Sequence, residues 1–172
     1  PKGLLLTGVE AEFDCADNVA AMNALAAANF VVMLSPWLSV SAKEHADVVF
    51  PIGTFAETSG TYVNVAGTWQ SFSGVAQPVG QARPAWKVMR VLGNLLDAPN
   101  FAYDSSEAIR DELHGMQACE DRIGSGDLEP GTGFAVRAAD LDVPIYAVDG
   151  LVRRARALQS TADAAPGWRK TA

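Results

Sequence analysis

Cysteine and histidine are scarce in this 172-residue chain, at two each. Cys15 and Cys119 lie far apart, as do His45 and His114, and no Cys-x-x-Cys pair occurs. A zinc or iron–sulfur site made from this chain alone is therefore not expected, so no metal ligands are assigned. So few thiols suit a reducing compartment. Positive charge is also short: 13 Lys and Arg stand against 20 Asp and Glu, a net charge of -7. Neutralising phosphates needs clustered cations, so nucleic acid is excluded as a partner, and so is adhesion to anionic lipid. No run approaches the roughly 20 apolar residues that cross a bilayer, so no direct membrane insertion is expected. The opening PKGLLLTGVEAEF turns acidic at once, unlike a signal peptide. It begins with Pro two residues before a strand-like run and is read as a piece of a longer protein. The G-x-G-x-x-G fingerprint, a Walker lysine and a Gly-x-Ser-x-Gly elbow are all missing.

What remains is ample core material, with 49% hydrophobic residues. GLLLTG (3–8), FVVML (30–34) and DVVFP (47–51) are short apolar runs that read as buried strands. Between the first two lies an alanine-rich helix. Asp14 is its expected N-cap, and Val19, Met22, Leu25 and Ala26 share one stripe. A polar connection with Ser39, Ser41, Lys43 and Glu44 leads to the third strand, with His45 as a surface or capping residue. The predicted fold class is α/β, a parallel sheet flanked by helices. TYVNV and TWQSF, split by Ala66-Gly67, predict a β-hairpin insertion. Pro84 opens a helix buried through Val88, Val91, Leu92 and Leu95. DSSEAIRDELHG predicts another, with Asp104 and Glu107 as a capping box and Gly115 as its stop. Residues 117–142 read as glycine-rich loop, 143–148 as a last strand, and the rest as peripheral C-terminal helices.

Two groups of residues carry candidate chemistry. Glu57, Thr58, Ser59, Gly60 and Thr61 follow the third strand, where open α/β sheets bind ligands. The same residues would equally serve to cap a turn and tie the hairpin to the sheet. Cys15 stands near a helix start with no base nearby in sequence, and reads as inert. Arg153, Arg154 and Arg156 are three cations without a nearby acid in an acidic chain. They read as a solvated helix face or as contacts to an acidic patch on another subunit.

ADVVFPIGTFAETSGTYVNVAGTWQSF, followed by ARPAWKVMRVLGNLL, goes further. This run resembles the molybdopterin oxidoreductase superfamily. Within it, the chain is most similar to the large iron–sulfur subunit of respiratory complex I, NADH:quinone oxidoreductase. Ala46-Asp47, Pro51, Glu57, Gly60-Thr61, Asn64, Gly67, Gln70, Arg83-Pro84 and Trp86 carry the match. VPIYAVDGLVRRARALQSTADA also resembles the end of bacterial versions of that subunit. Thr68 departs from the pattern, standing where the family often has Arg.

The resemblance implies two parts: 1–100 as a portion of the molybdopterin-oxidoreductase-like domain, and 101–172 as a C-terminal extension. It implies a structural role in the hydrophilic arm, with no catalytic residue and no cofactor in this chain. Iron–sulfur clusters would sit in an N-terminal part that is not included. Glu57, Thr58, Gly60, Thr61, Asn64 and Gln70 would then line a vestigial pocket. The implied partners are the rest of the subunit and other hydrophilic-arm subunits, on the cytoplasmic side of a bacterial inner membrane. The rival expectation is the cofactor-binding portion of an active, formate dehydrogenase-like molybdopterin oxidoreductase.

Overall fold

A computed structural model describes residues 2–116, 146–162 and 164. Three short strands, β1 (Leu4–Thr7), β2 (Val31–Ser35) and β3 (Val48–Pro51), form a parallel sheet in the order β1-β2-β3. Leu5 pairs with Val32, and Met33 with Val49. Parallel neighbours need crossovers, and helices supply them. α1 (Ala11–Asp14) and α2 (Asn18–Ala26) join β1 to β2, and α3 (Val40–His45) joins β2 to β3.

Strand alternation divides the apolar residues between two faces. On one face, Val31 and Met33 pack with Leu25, Ala11 and Ala42, with Leu4, Leu6, Met22 and Val49 around them. On the other, Leu5, Val32, Val48 and Phe50 face α4 (Ala85–Leu95) across an apolar cavity of about 580 Å³. Leu5 and Phe30 remain about half exposed there. α4 is positioned by the strand beneath it. Ile52 forms a parallel bridge with Arg83, and the Gly53 amide donates to the Arg83 carbonyl at 3.0 Å.

Several expectations need correction. The first helix is broken: Asp17, not Asp14, caps α2 by accepting from the Ala20 amide at 2.8 Å. Asp14 instead accepts from the Glu10 amide at 2.8 Å. The polar connection contains α3, capped by Ser39, whose small buried residues Ser41 and Ala42 gave little apolar signal. Val19, Val91 and Leu95 are exposed, so their stripes are only partly buried. Ser105, not Asp104, caps α5 (Ser106–Gly115). The expected loop 117–142 and residues 143–145 of the expected last strand lie outside the described residues, and 146–148 are turn.

Gly93 tests how α4 is seated. A Cβ there would stand 2.0 Å from the Phe101 ring, so even alanine must displace it. Gly93→Ala is expected to destabilise the chain by about 1–3 kcal/mol through overpacking. Urea unfolding checks this; an unchanged midpoint would mean that Phe101 does not pack on α4.

Candidate functional site

Beyond β3 the chain makes a 3₁₀ turn, Phe55–Glu57, and then the hairpin β4 (Gly60–Val63) and β5 (Trp69–Phe72). The turn is a capping box. One Glu57 oxygen accepts from the Thr54 amide at 2.8 Å and from the Thr54 hydroxyl at 3.0 Å. The other accepts from the Val79 amide at 3.2 Å. The Thr54 amide, then its hydroxyl, hold the Glu57 carboxyl below the usual glutamate range; desolvation opposes them and the Val79 amide adds to them.

The hydroxyls of this loop are also committed within the chain. Thr58 donates to the Ser59 carbonyl at 3.0 Å. The Ser59 hydroxyl meets that of Ser106, at the start of α5, at 2.9 Å. Thr61 faces Ser71 across the hairpin, hydroxyl to hydroxyl at 3.1 Å. Gly60 sits against the Phe72 ring, where a Cβ would come within 2.9 Å. Asn64 closes the hairpin turn, its side-chain oxygen accepting from the Ala66 and Thr68 amides at 3.0 and 2.9 Å. Gln70 is exposed and pairs through its backbone with Tyr62. The hairpin is therefore closed by Asn64 and the turn's own amides.

Two hollows adjoin the loop: Thr58 and Ser59 line both, Gly60 and Thr61 the first and Glu57 the second, while Asn64 and Gln70 line neither. The first, of about 410 Å³, lies between the hairpin and α5 and is walled by Tyr62, Trp69, Phe72, Trp86, Ile109 and Leu113. The second, of about 640 Å³, is polar and brings Glu57 together with Arg83, Lys87 and Glu107.

The arginines go elsewhere. Arg153 and Arg154 lie in a 3₁₀ turn, Val152–Arg154, that packs beyond the ends of β1 and β2. Both converge on Glu10. Arg153 Nη1 donates to Glu10 Oε1 at 3.0 Å, and Arg154 donates to Oε1 and Oε2 at 3.0 and 2.8 Å. Arg153 also pairs with Asp14. The side chains of Glu10 and Arg153 are each only 5% exposed. The acids that the sequence reading did not find near the cluster are thus supplied by α1 and the residue before it. Only Arg156 of the three is left outside this network and exposed. No linear signal could have revealed Glu10 as their partner, because 143 residues separate it from Arg153.

Residues 1–95, over half of the chain, match the family described as Molybdopterin oxidoreductase. The chain belongs to the molybdopterin oxidoreductase family. It is 40% identical over 65 residues to a protein from Candida albicans named NADH-ubiquinone oxidoreductase 78 kDa subunit, mitochondrial. That match covers 38% of this chain and 9% of the relative. The NADH-ubiquinone oxidoreductase 75 kDa subunit of Reclinomonas americana is 39% identical over 64 residues, 37% of this chain and 9% of that protein. A putative formate dehydrogenase of Staphylococcus haemolyticus is 29% identical over 94 residues, 55% of this chain and 9% of the relative. The chain thus matches about a tenth of the length of these relatives.

The family name implies a phosphate-bearing pterin, and the loop's residues do not fit one. Glu57 and the hydroxyls of Thr58, Ser59 and Thr61 are partnered within the chain. In the polar hollow, Arg83 and Lys87 are matched in number by Glu57 and Glu107, leaving no surplus of positive charge among the described lining residues.

Glu57 offers a pH test. Its lowered carboxyl pKa means that the folded state favours the ionised form. That contribution is full above the unfolded pKa and is lost as pH falls through the lower folded value. Glu57→Gln is therefore expected to destabilise the chain at neutral pH. The gap between the two chains should close on acidification, as followed by urea unfolding. A gap that is the same at every pH would contradict the capping role.

Proposed function

We propose that this chain is the C-terminal portion of the large iron–sulfur subunit of an NADH:quinone oxidoreductase, and that it serves as scaffold rather than as catalyst. The observation that carries the reading is the internal commitment of the Glu57 loop. Its carboxylate and hydroxyls hold the hairpin to the sheet and to α5. Similarity to the 78 and 75 kDa subunits supports the assignment.

On this reading the chain binds no cofactor, and the iron–sulfur clusters reside elsewhere in the same subunit. Its partners are the remainder of that subunit and neighbouring subunits of the hydrophilic arm, at the cytoplasmic side of a bacterial inner membrane. No described helix is long and apolar enough to cross a membrane, in keeping with a peripheral position. Arg156 is the remaining candidate for a contact to a neighbouring subunit.

The second reading is the cofactor-binding portion of an active, formate dehydrogenase-like enzyme. The similarity to the putative formate dehydrogenase, which spans more of this chain than the complex I matches do, favours it. Elemental analysis of the purified full-length protein for molybdenum, tungsten and iron, with fluorescence of oxidised pterin, separates the two. The scaffold reading expects iron without molybdenum, tungsten or pterin. Near-stoichiometric molybdenum with pterin would overturn it and make the hollow around Glu57 a cofactor pocket.

A further inference from the structure

In parallel α/β sheets, ligands bind beyond the carboxyl ends of the strands. Here that crevice is already filled. Gly8 and Glu10 follow β1, Ser35 ends β2 and Trp37 follows it, and residues 147–154 lie across them. The recess has the features of a guanidinium receptor. Glu10 presents both carboxylate oxygens, and Asp14 adds a second acid. The Phe13 ring lies 4.7 Å from the Arg153 guanidinium, and the Trp37 ring 4.4 Å from that of Arg154. A carboxylate fork beside aromatic faces suits arginine better than lysine, because the planar guanidinium both pairs and stacks.

The occupying segment is held together by its own bonds. The Asp149 side chain accepts from the Leu151 and Val152 amides at 2.9 and 3.0 Å. Gln159 closes the loop, donating to the Tyr146 and Val152 carbonyls at 2.9 Å. Arg154 also donates to the Gly150 carbonyl at 2.8 Å. A segment whose shape rests on local bonds can leave the sheet as a unit without unfolding it. A hollow of about 260 Å³ remains beside Arg153, so the fit leaves space.

We propose that the crevice formed by Glu10, Asp14, Phe13 and Trp37 is a binding site for an arginine-bearing peptide, occupied in cis by Arg153 and Arg154. The strap is then a built-in ligand. Its release exposes the site to a peptide segment of the same chemistry on a partner.

The test uses the full 172-residue chain carrying Arg153→Ala and Arg154→Ala, titrated by calorimetry with the capped peptide of residues 149–157. Saturable binding is expected, at least tenfold weaker to the natural chain, whose strap competes. Adding Glu10→Gln should weaken it at least tenfold, and so should a peptide with lysine at both positions. A folded double variant that does not bind the peptide would overturn the proposal. Should circular dichroism show that variant unfolded, amide hydrogen exchange on the natural chain decides. The amides of 151–155 should exchange at least tenfold faster than those of β2, and Glu10→Gln should accelerate them another tenfold with β2 unchanged. Exchange of both segments in step would mean that the strap opens only with the whole fold, and would equally overturn the proposal.

Discussion

Glu10 carries a carboxylate into a position where only 5% of its side chain meets solvent. An ionised group there is tolerated only if it is paired and fully hydrogen-bonded. Two arginines from the far end of the chain meet that requirement, one of them as buried as the acid itself. The arrangement has a geometric consequence. The residues after β1, the turn of α1 and the strap at 147–154 are held around one charge cluster at the carboxyl edge of the sheet. Gly150 is part of this fit, since a Cβ there would come within 2.9 Å of the Trp37 indole nitrogen.

The same logic governs the other end of that edge. After β3, a carboxylate and a row of hydroxyls stand where ligands bind in related architectures, yet they close a capping box and a hairpin. At both places the polar groups at the strand ends are spent within the chain. That common pattern is the physical argument behind the proposed supporting role. It agrees with the proposed kinship to the relatives named NADH-ubiquinone oxidoreductase 78 and 75 kDa subunits.

The strands were legible because a buried parallel strand is a short, uninterrupted apolar run, and Leu4–Leu6, Val31–Leu34 and Val48–Phe50 are all of that kind. The hairpin was legible from its alternation and from Gly67, which adopts φ 76°. α3 was not, because its buried side is Ser41 and Ala42, too small to mark a stripe. Ser39, three residues before the amide it caps, was the one available signal. The break between α1 and α2 was hidden because Asp14 and Asp17 are both plausible caps, and only the tertiary demand of Glu10 and Arg153 assigns Asp14 elsewhere. For the Glu57 loop, position beyond the strand was readable, but whether its oxygens face a ligand or the chain depends on Val79 and Ser106, which sequence alone does not place beside it. The arginine cluster was readable as charge and unreadable as a contact.

The most direct test of this account is a double-mutant cycle between Glu10→Gln and Arg153→Met in the full chain, read by urea unfolding at neutral pH. A buried pair predicts a coupling energy of about 1–3 kcal/mol, because each single change strands a buried group that the double change relieves. Strictly additive effects would show that Glu10 and Arg153 do not meet, and would remove the charge cluster on which the closed edge of the sheet depends.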